Sequence, residues 1–529
     1  MRKIAYIMLL LLALVPVACQ ADRLRLEQLE KDYEDLLGKD GAEVPAAATP
    51  AGGSSAEYAI SFDALRYGVN AGGSVSIHYS LPEASDIEVE AKEGWTASVS
   101  AASGTEGTIT VTAPDPASPS DVVAIARTAG GKTAAAILPL MVRDPYSDAT
   151  RPVLKSLGYY SFKPWNASLE NFRKLAAAGL NMVTIETGEE QWQEQIELAG
   201  QAGLKVLAIV IDRGLSYYDT GSDSRLAEAI SWLKNRPEVV AYHMYDEPGV
   251  QDAPKLKMIK DKIGELDPTH PVYINFGQEA SPAWMGVDTY YEYVNILADY
   301  LQLNQLSVDI YPIWPGFVQS NWHQCLEVVA DAAKRTGVPF WAFAASCWIN
   351  KESQTQLRER PNTYNLLLQI YTSLAFGAQA IQYFTIQDYG GTDFAPIMRD
   401  GTWTQAYDYL KEANLQMQKR AFIFNGCEVA KVRQAGEQVS REMELSVLDL
   451  PKEIESIYTS GSVTVSFIEN AGNKYLAMVN NYWNAVQQVA VTLNSPVYCI
   501  DAEANFSLLE PGRQNIEIPL GGMMVLKYK

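Results

Sequence analysis

The chain has 529 residues, too many for one ordinary core and about the length of three domains. Its 63 acidic against 42 basic residues leave a formal charge of −21, which argues against a nucleic-acid partner and suits a neutral or cationic ligand. Five cysteines and four histidines stand in no C-x-x-C, H-E-x-x-H or mixed ligand spacing, so the chain calls for no disulfide scaffold, no metal and no cofactor.

Residues 1–19, MRKIAYIMLLLLALVPVAC, carry a basic start (Arg2, Lys3), an apolar run too short for a normal membrane span, and a small residue before Cys19. This ending resembles a bacterial lipoprotein signal, which implies lipidation of Cys19, export, and tethering to a membrane, the outer one by preference, on its periplasmic or outer face. Pro16 departs from the aliphatic residue usual three positions before the cysteine. Residues 20–56 follow as a short helix, with Leu26, Leu29, Tyr33 and Leu36 at three/four spacing, and an Ala/Pro/Gly/Ser linker from 41. Two heptads leave a self-associating stalk and a lone solvated helix equally open, so the oligomeric state stays undecided.

From 57 to 145 short alternating runs (SVSIHYSL, TITVTAP, VVAIART, AAAILPLMV) are separated by turn signals, as in a small β-sandwich. The segment resembles the immunoglobulin-like modules that precede the catalytic domains of secreted carbohydrate enzymes, and it serves as a spacer or as a binding module. Its one tryptophan, Trp95, suits a core position as well as a ligand platform.

Residues 151–420 change rhythm: eight apolar strands alternate with helical stretches. The strands are expected at 153–162, 181–188, 205–214, 238–248, 271–277, 305–314, 339–346 and 380–388. Helices such as SLENFRKLAAAGL and CLEVVADAAKRTG lie between them and stop at Gly or before Pro. Eight such units in about 270 residues match a (β/α)8 TIM barrel. No Gly-rich loop follows the first strand, as a doubly wound dinucleotide-binding sheet would require. From 421 to 529 alternating strands return (SVTVSFIE, KYLAMVNNYW, QQVAVTLN, VYCIDAE, MMVLKYK) and predict a C-terminal β-sandwich that packs and does no chemistry.

The barrel is organised around EVVAYHMYDEP, residues 238–248, a strand that ends in two carboxylates. Strict alternation places His243, Tyr245 and Glu247 on the inner face at the barrel mouth, with Asp246 at the rim or, if the strand bulges, beside Glu247. Other strand ends bring Glu186, Asp212, Arg213, Asn275, Asp309, Tyr311 and Gln387 to the same rim. Trp165, Trp314 and Trp348 stand near strand ends, where flat rings stack on the apolar faces of sugars or simply pack.

This arrangement resembles the large superfamily of retaining glycoside hydrolases that places its acid/base Glu at the end of strand four. The resemblance covers 151–420 in architecture and YDEP in motif. It implies a glycan substrate, Glu247 as general acid/base, and a pKa raised by burial and neighbouring acids. The sequence departs from that pattern twice: Asp246 stands where Asn is usual, and strand seven ends in Ser346 and Cys347 without the nucleophilic Glu. Two arrangements restore the chemistry. Asp246 orients a substrate 2-acetamido group that acts as nucleophile, or Asp309, facing inward by the alternation Ser307, Asp309, Tyr311, is nucleophile or base. A barrel that has given up catalysis and displays its aromatics to a glycan as a surface lipoprotein is the alternative from another class.

Overall fold

The computed structural model describes residues 58–528 apart from 65–66, 93, 101–102, 160–161, 212–222, 350–357, 389–391 and 438–442. The expected leader with Cys19, the helix and linker of 20–56, and the site candidates Asp212 and Arg213 lie outside the described residues.

All eight expected parallel strands form, and they close: β1 (Lys155–Gly158), β2 (Met182–Glu186), β3 (Lys205–Ile209), β4 (Val239–Asp246), β5 (Val272–Gly277), β6 (Leu306–Asp309), β7 (Phe340–Ala345) and β8 (Ala380–Phe384), with β8 paired back onto β1. Several end earlier than expected. The run to Trp314 breaks at Asp309, because Pro312 and Pro315 cannot donate to a ladder. Ile313–Trp314 instead pairs antiparallel with Phe317–Val318 across a turn at Gly316, φ +83°. The run to Asp388 likewise stops at Phe384, and Gln387 bridges to Ile397.

Among the described residues, the longer helices that follow the strands are α1 (Leu169–Ala177), α2 (Trp192–Gln201), α3 (Asp223–Leu233), α4 (Ala253–Leu266), α5 (Tyr290–Leu301), α6 (Trp322–Thr336), α7 (Thr363–Ala375) and α8 (Gln405–Lys419). In α6, Cys325, Leu326, Val329, Ala332 and Ala333 form one buried stripe, and the helix stops at Gly337 in the left-handed region. α7 differs, since nearly every residue from Thr363 to Ala375 is buried. It lies between the barrel and the C-terminal sheets: Ser466 donates to the carbonyl of Ala375 at 2.6 Å. A Cβ on Gly521 would sit 2.0 Å from the carbonyl oxygen of Tyr364, so only glycine permits that approach.

The C-terminal region is a sandwich of a six-stranded and a three-stranded antiparallel sheet. Its core is Val463, Val465, Leu476, Met478, Val489, Val491, Ile516, Ile518 and Leu526. The strand Gln487–Leu493 alternates buried and more exposed residues with period two, as one packed face requires. The sandwich and the barrel together make one compact unit.

The N-terminal module is a second unit. Its long strand Ser74–Ala91 pairs first with Ser103–Thr112 and then, past a register shift between Ser80 and Ser85, with Ser120–Thr128. The strand thus has a different neighbour in each half of a seven-stranded sheet. Ile77, Ile87, Ile109, Val111, Val122 and Leu138 are buried, and Trp95 belongs to this core.

Candidate active site

The barrel interior is apolar toward its lower end, where Leu157, Met182, Leu207, Ala241, Tyr273, Trp341, Phe343 and Ala380 pack together. Nearer the C-terminal strand ends polar groups take over, and the geometry of β4 decides which. Its pairing with β5 runs His243 with Tyr273, then Tyr245 with Ile274 and Asp246 with Asn275, so an extra residue is accommodated between His243 and Tyr245. This bulge corrects the strict alternation. Tyr245 turns to the face opposite Tyr273 and Asn275, while Asp246 shares their inner face.

Glu247 follows the strand with φ +45°, a left-handed conformation that costs a non-glycine residue about 1–3 kcal/mol. Its amide donates to the carbonyl of Asn275 at 3.0 Å. The Tyr293 hydroxyl accepts from the amide of Gly277 at 3.2 Å and donates to the carbonyl of Pro248 at 2.9 Å, which ties the ends of β4 and β5 together. Asp246 and Glu247 are both exposed at the mouth.

Asp246 terminates a chain of hydrogen bonds whose direction is set by chemistry. The Tyr273 hydroxyl donates to Gln382 Oε1 (3.1 Å), Gln382 Nε2 to Ser307 Oγ (2.7 Å), Ser307 Oγ to Asn275 Oδ1 (2.7 Å), and Asn275 Nδ2 to Asp246 Oδ1 (2.8 Å). Every step points toward Asp246, whose Oδ1 is the last acceptor of the chain. Beside this chain, His243 is buried, its pKa is pushed down to about 4 chiefly by burial, and its Nε2 has no partner. It is neutral, packed 5.1 Å from the Tyr273 ring.

Asp309 ends β6 with 8% of its surface exposed and its Oδ1 unpartnered. Burial first, then the charges of Glu247 and Asp246, hold its carboxyl well above the usual range. A carboxyl with a raised pKa thus stands at the end of β6, set under the mouth, while β4 delivers two acids to its edge. Tyr311, packed on Phe343 and Phe384, lies beside Asp309; burial and then that carboxylate push its phenol up.

The remaining candidates spread around the rim. Glu186, at the end of β2, is paired with Lys163 at 3.1 Å; despite burial, Lys163 is held above its usual value by Glu189 and Glu186. Gln387 is buried, with Oε1 accepting from the amide of Lys163 and Nε2 unpartnered. Trp314 stacks on the exposed Phe317, with centroids 6.0 Å apart, and carries the guanidinium of Arg358 at 3.7 Å. Trp348 donates to the carbonyl of Arg358, while Trp165 is 61% exposed in the loop after β1. Ser346 and Cys347, where β7 ends, are fully buried and donate to the carbonyls of Thr385 and Phe384.

Sequence reasoning placed Ser307 on the inner face but missed Gln382, which the same alternation on β8 would have found. It also missed Trp284, in the one-turn helix Pro282–Met285, and Arg358, neither of which any periodicity places. Arg358 is buried, its Nε donates to the carbonyl of Tyr311 at 2.6 Å, and burial lowers its pKa to about 10, so it stays charged.

No protein-family model matches the chain, and no curated protein matches it in sequence. Solved structures do. A beta-galactosidase from Bacillus circulans sp. alkalophilus superposes with a TM-score of 0.50 at 10% identity, over 72% of this chain and 99% of that one. A GH42 beta-galactosidase from G. stearothermophilus gives 0.49 at 10% identity, over 71% and 98%. The beta-galactosidase of the psychrophilic Marinomonas ef1 gives 0.39 at 11% identity, over 50% of this chain and 60% of that one, so this chain spans less than two thirds of that enzyme. At such identity the likeness is one of architecture, and it agrees with the strand order: a closed (β/α)8 TIM barrel with flanking β-sandwich domains.

Proposed function

We propose that the protein is a glycoside hydrolase in which Asp309 and Glu247 form the working pair and Asp246 is a hydrogen-bonded carboxylate beside Glu247 at the mouth. The observation that carries this reading is the contrast between a buried carboxyl at the end of β6 and two exposed ones at the end of β4 in the same barrel mouth. Cleavage of a glycosidic bond requires a proton for the departing oxygen and a second carboxylate at the anomeric carbon. Asp309 is the carboxyl whose burial and neighbouring charges favour its protonated form, so it serves as the acid. Glu247 acts at the anomeric carbon, directly or through a water. This exchanges the roles that the sequence resemblance implies. Asp246, at the end of its donor chain, opposes ionisation of Asp309 and favours the positive charge that develops on the sugar.

The experiment is product chromatography of a panel of 2-hydroxy and 2-acetamido glycosides and polysaccharides with wild type, Glu247→Gln and Asp309→Asn. Cleavage lost in both variants supports the pair. A second reading has its own support: the bulge turns Asp246 inward and Asn275 holds one of its oxygens, an arrangement suited to orienting a substrate 2-acetamido group. Turnover confined to 2-acetamido sugars selects it. If wild type cleaves nothing and Glu247→Gln keeps glycan binding, the protein is a binding lipoprotein. Export and lipid anchoring through Cys19 belong to the same proposal, and membrane fractionation of a Cys19→Ser variant tests them.

A further inference from the structure

Gly277, the last residue of β5, marks a point where two groups of the mouth converge. A Cβ built there would lie 2.6 Å from Cη2 of Trp284 and 3.3 Å from Oε1 of Glu247. Its φ lies outside the left-handed range, so glycine answers here to space and not to backbone conformation. Both atoms border one point, so the indole edge and the carboxylate oxygen lie within about 6 Å of each other. The indole is also anchored, because its centroid is 5.8 Å from that of Tyr293, the residue that ties β4 to β5. Even so, 37% of Trp284 remains exposed.

We infer that Trp284 is the aromatic platform of a subsite beside Glu247 that takes the apolar C–H face of a neutral hexopyranose, with Gly277 the position that lets ring and carboxylate stand together. The inference rests on the glycosidase reading and adds a substrate class to it. An indole offers a flat polarisable surface to sugar C–H groups while a carboxylate accepts from the hydroxyls at the ring edge. Neutrality follows from the charges around the site. Glu247 and Asp246 are the exposed carboxylates at its edge. Among the described residues, Lys163 is engaged by Glu186 and Glu189, and Arg358 is held by the carbonyl of Tyr311 and the ring of Trp314 with only Nη1 left over. A uronate carboxylate would therefore meet like charge.

The test compares wild type with Trp284→Leu, which keeps apolar volume without the flat face, and with Gly277→Ala, which displaces the indole. Binding of methyl galactoside, methyl glucoside and methyl galacturonide is read by saturation-transfer NMR, and hydrolysis of the matching p-nitrophenyl glycosides by KM and kcat. Wild type is expected to bind a neutral sugar through its ring C–H protons and to prefer it to the uronide. Both variants are expected to lose that saturation and to raise Kd or KM about tenfold with a smaller change in kcat. Binding that depends on Trp284 without any hydrolysis leaves the subsite standing and removes the glycosidase reading. Hydrolysis with KM unchanged in both variants, or preference for the uronide, overturns the subsite and leaves the glycosidase reading. Neither binding nor hydrolysis by wild type overturns both.

Discussion

The barrel mouth and the C-terminal sandwich treat their buried polar groups in opposite ways. In the sandwich, Asn480 donates to the carbonyls of Ala485 and Pro519 at 2.7 and 2.9 Å and accepts from the amide of Tyr482, while Thr464 donates to Asn481. Among the described residues from 421 on, every buried side-chain polar atom has a partner. At the strand ends of the barrel, His243 Nε2, Asp309 Oδ1, Arg358 Nη1 and Gln387 Nε2 have none. Leaving such an atom unmatched costs about 1–3 kcal/mol, and although Gln305, Trp341, Thr372 and Arg420 carry others elsewhere in the barrel, the four at the strand ends border the candidate site. The sandwich is complete as a folded object, and the mouth is arranged for something that arrives.

That contrast breaks most sharply at the two working carboxylates. Glu247→Gln or Asp309→Asn is expected to reduce kcat by a factor of about 10²–10⁴, the usual worth of a positioned acid or base, with the fold intact by circular dichroism. Wild-type rates in both variants would remove the chemical reading of the mouth. Asp309→Asn has a second consequence, in stability. The folded protein holds the Asp309 proton more tightly than the unfolded chain, whose carboxyl has an ordinary value of about 4. As pH rises from there the unfolded state releases its proton first, and wild-type stability falls until the folded group also ionises. Asp309→Asn removes that loss. It should be more stable than wild type at neutral pH, with the gap closing below the carboxylate range, as denaturant titrations at several pH values would reveal.

In the sandwich the expectation is reversed. Asn480→Ala strands the Tyr482 amide and several carbonyls together, which predicts a loss of about 3 kcal/mol by urea unfolding. Its kcat/KM should equal that of wild type. A variant as stable as wild type, or one with altered kcat/KM at a temperature where it is folded, would erase the distinction between the two regions.

Much of this was legible in the sequence for a physical reason. Barrel strands are buried on both faces and read as short apolar runs between helical periods, so all eight could be located and the YDEP pair assigned to a strand end. Asp309 was legible too, because Ser307 and Asp309 lie two apart on one strand. The inward turn of Asp246 was not, since a bulge adds one residue and reverses a face without leaving any mark in composition. The location of the proton depends on how deeply β6 sets its acid under Tyr311 and the charges of β4, which is a property of tertiary packing. Trp284 reaches Glu247 only because Gly277, seven residues earlier, lacks a side chain. The burial of all of α7 but Tyr364 reflects a sandwich laid against it by strands about a hundred residues downstream.

The smallest expected effect is the most discriminating for the comparison. Tyr311 sets its buried hydroxyl against the Asp309 carboxyl, its one side-chain contact there, which lowers that carboxyl's pKa against the burial that raises it. Removing it with Tyr311→Phe keeps the ring against Phe343 and Phe384 and gives up a single hydrogen bond, so the loss of unfolding free energy should be about 1 kcal/mol, well below that of Asn480→Ala. The same oxygen stands beside Asp309, where a sugar hydroxyl would meet it, so KM should rise by a few fold. A polar deletion in the sandwich thus costs more stability and spares activity, and one in the mouth does the reverse. If Tyr311→Phe were instead destabilised as strongly as Asn480→Ala, the hydroxyl would be part of the scaffold, and the unmatched atoms of the mouth would no longer point to a ligand.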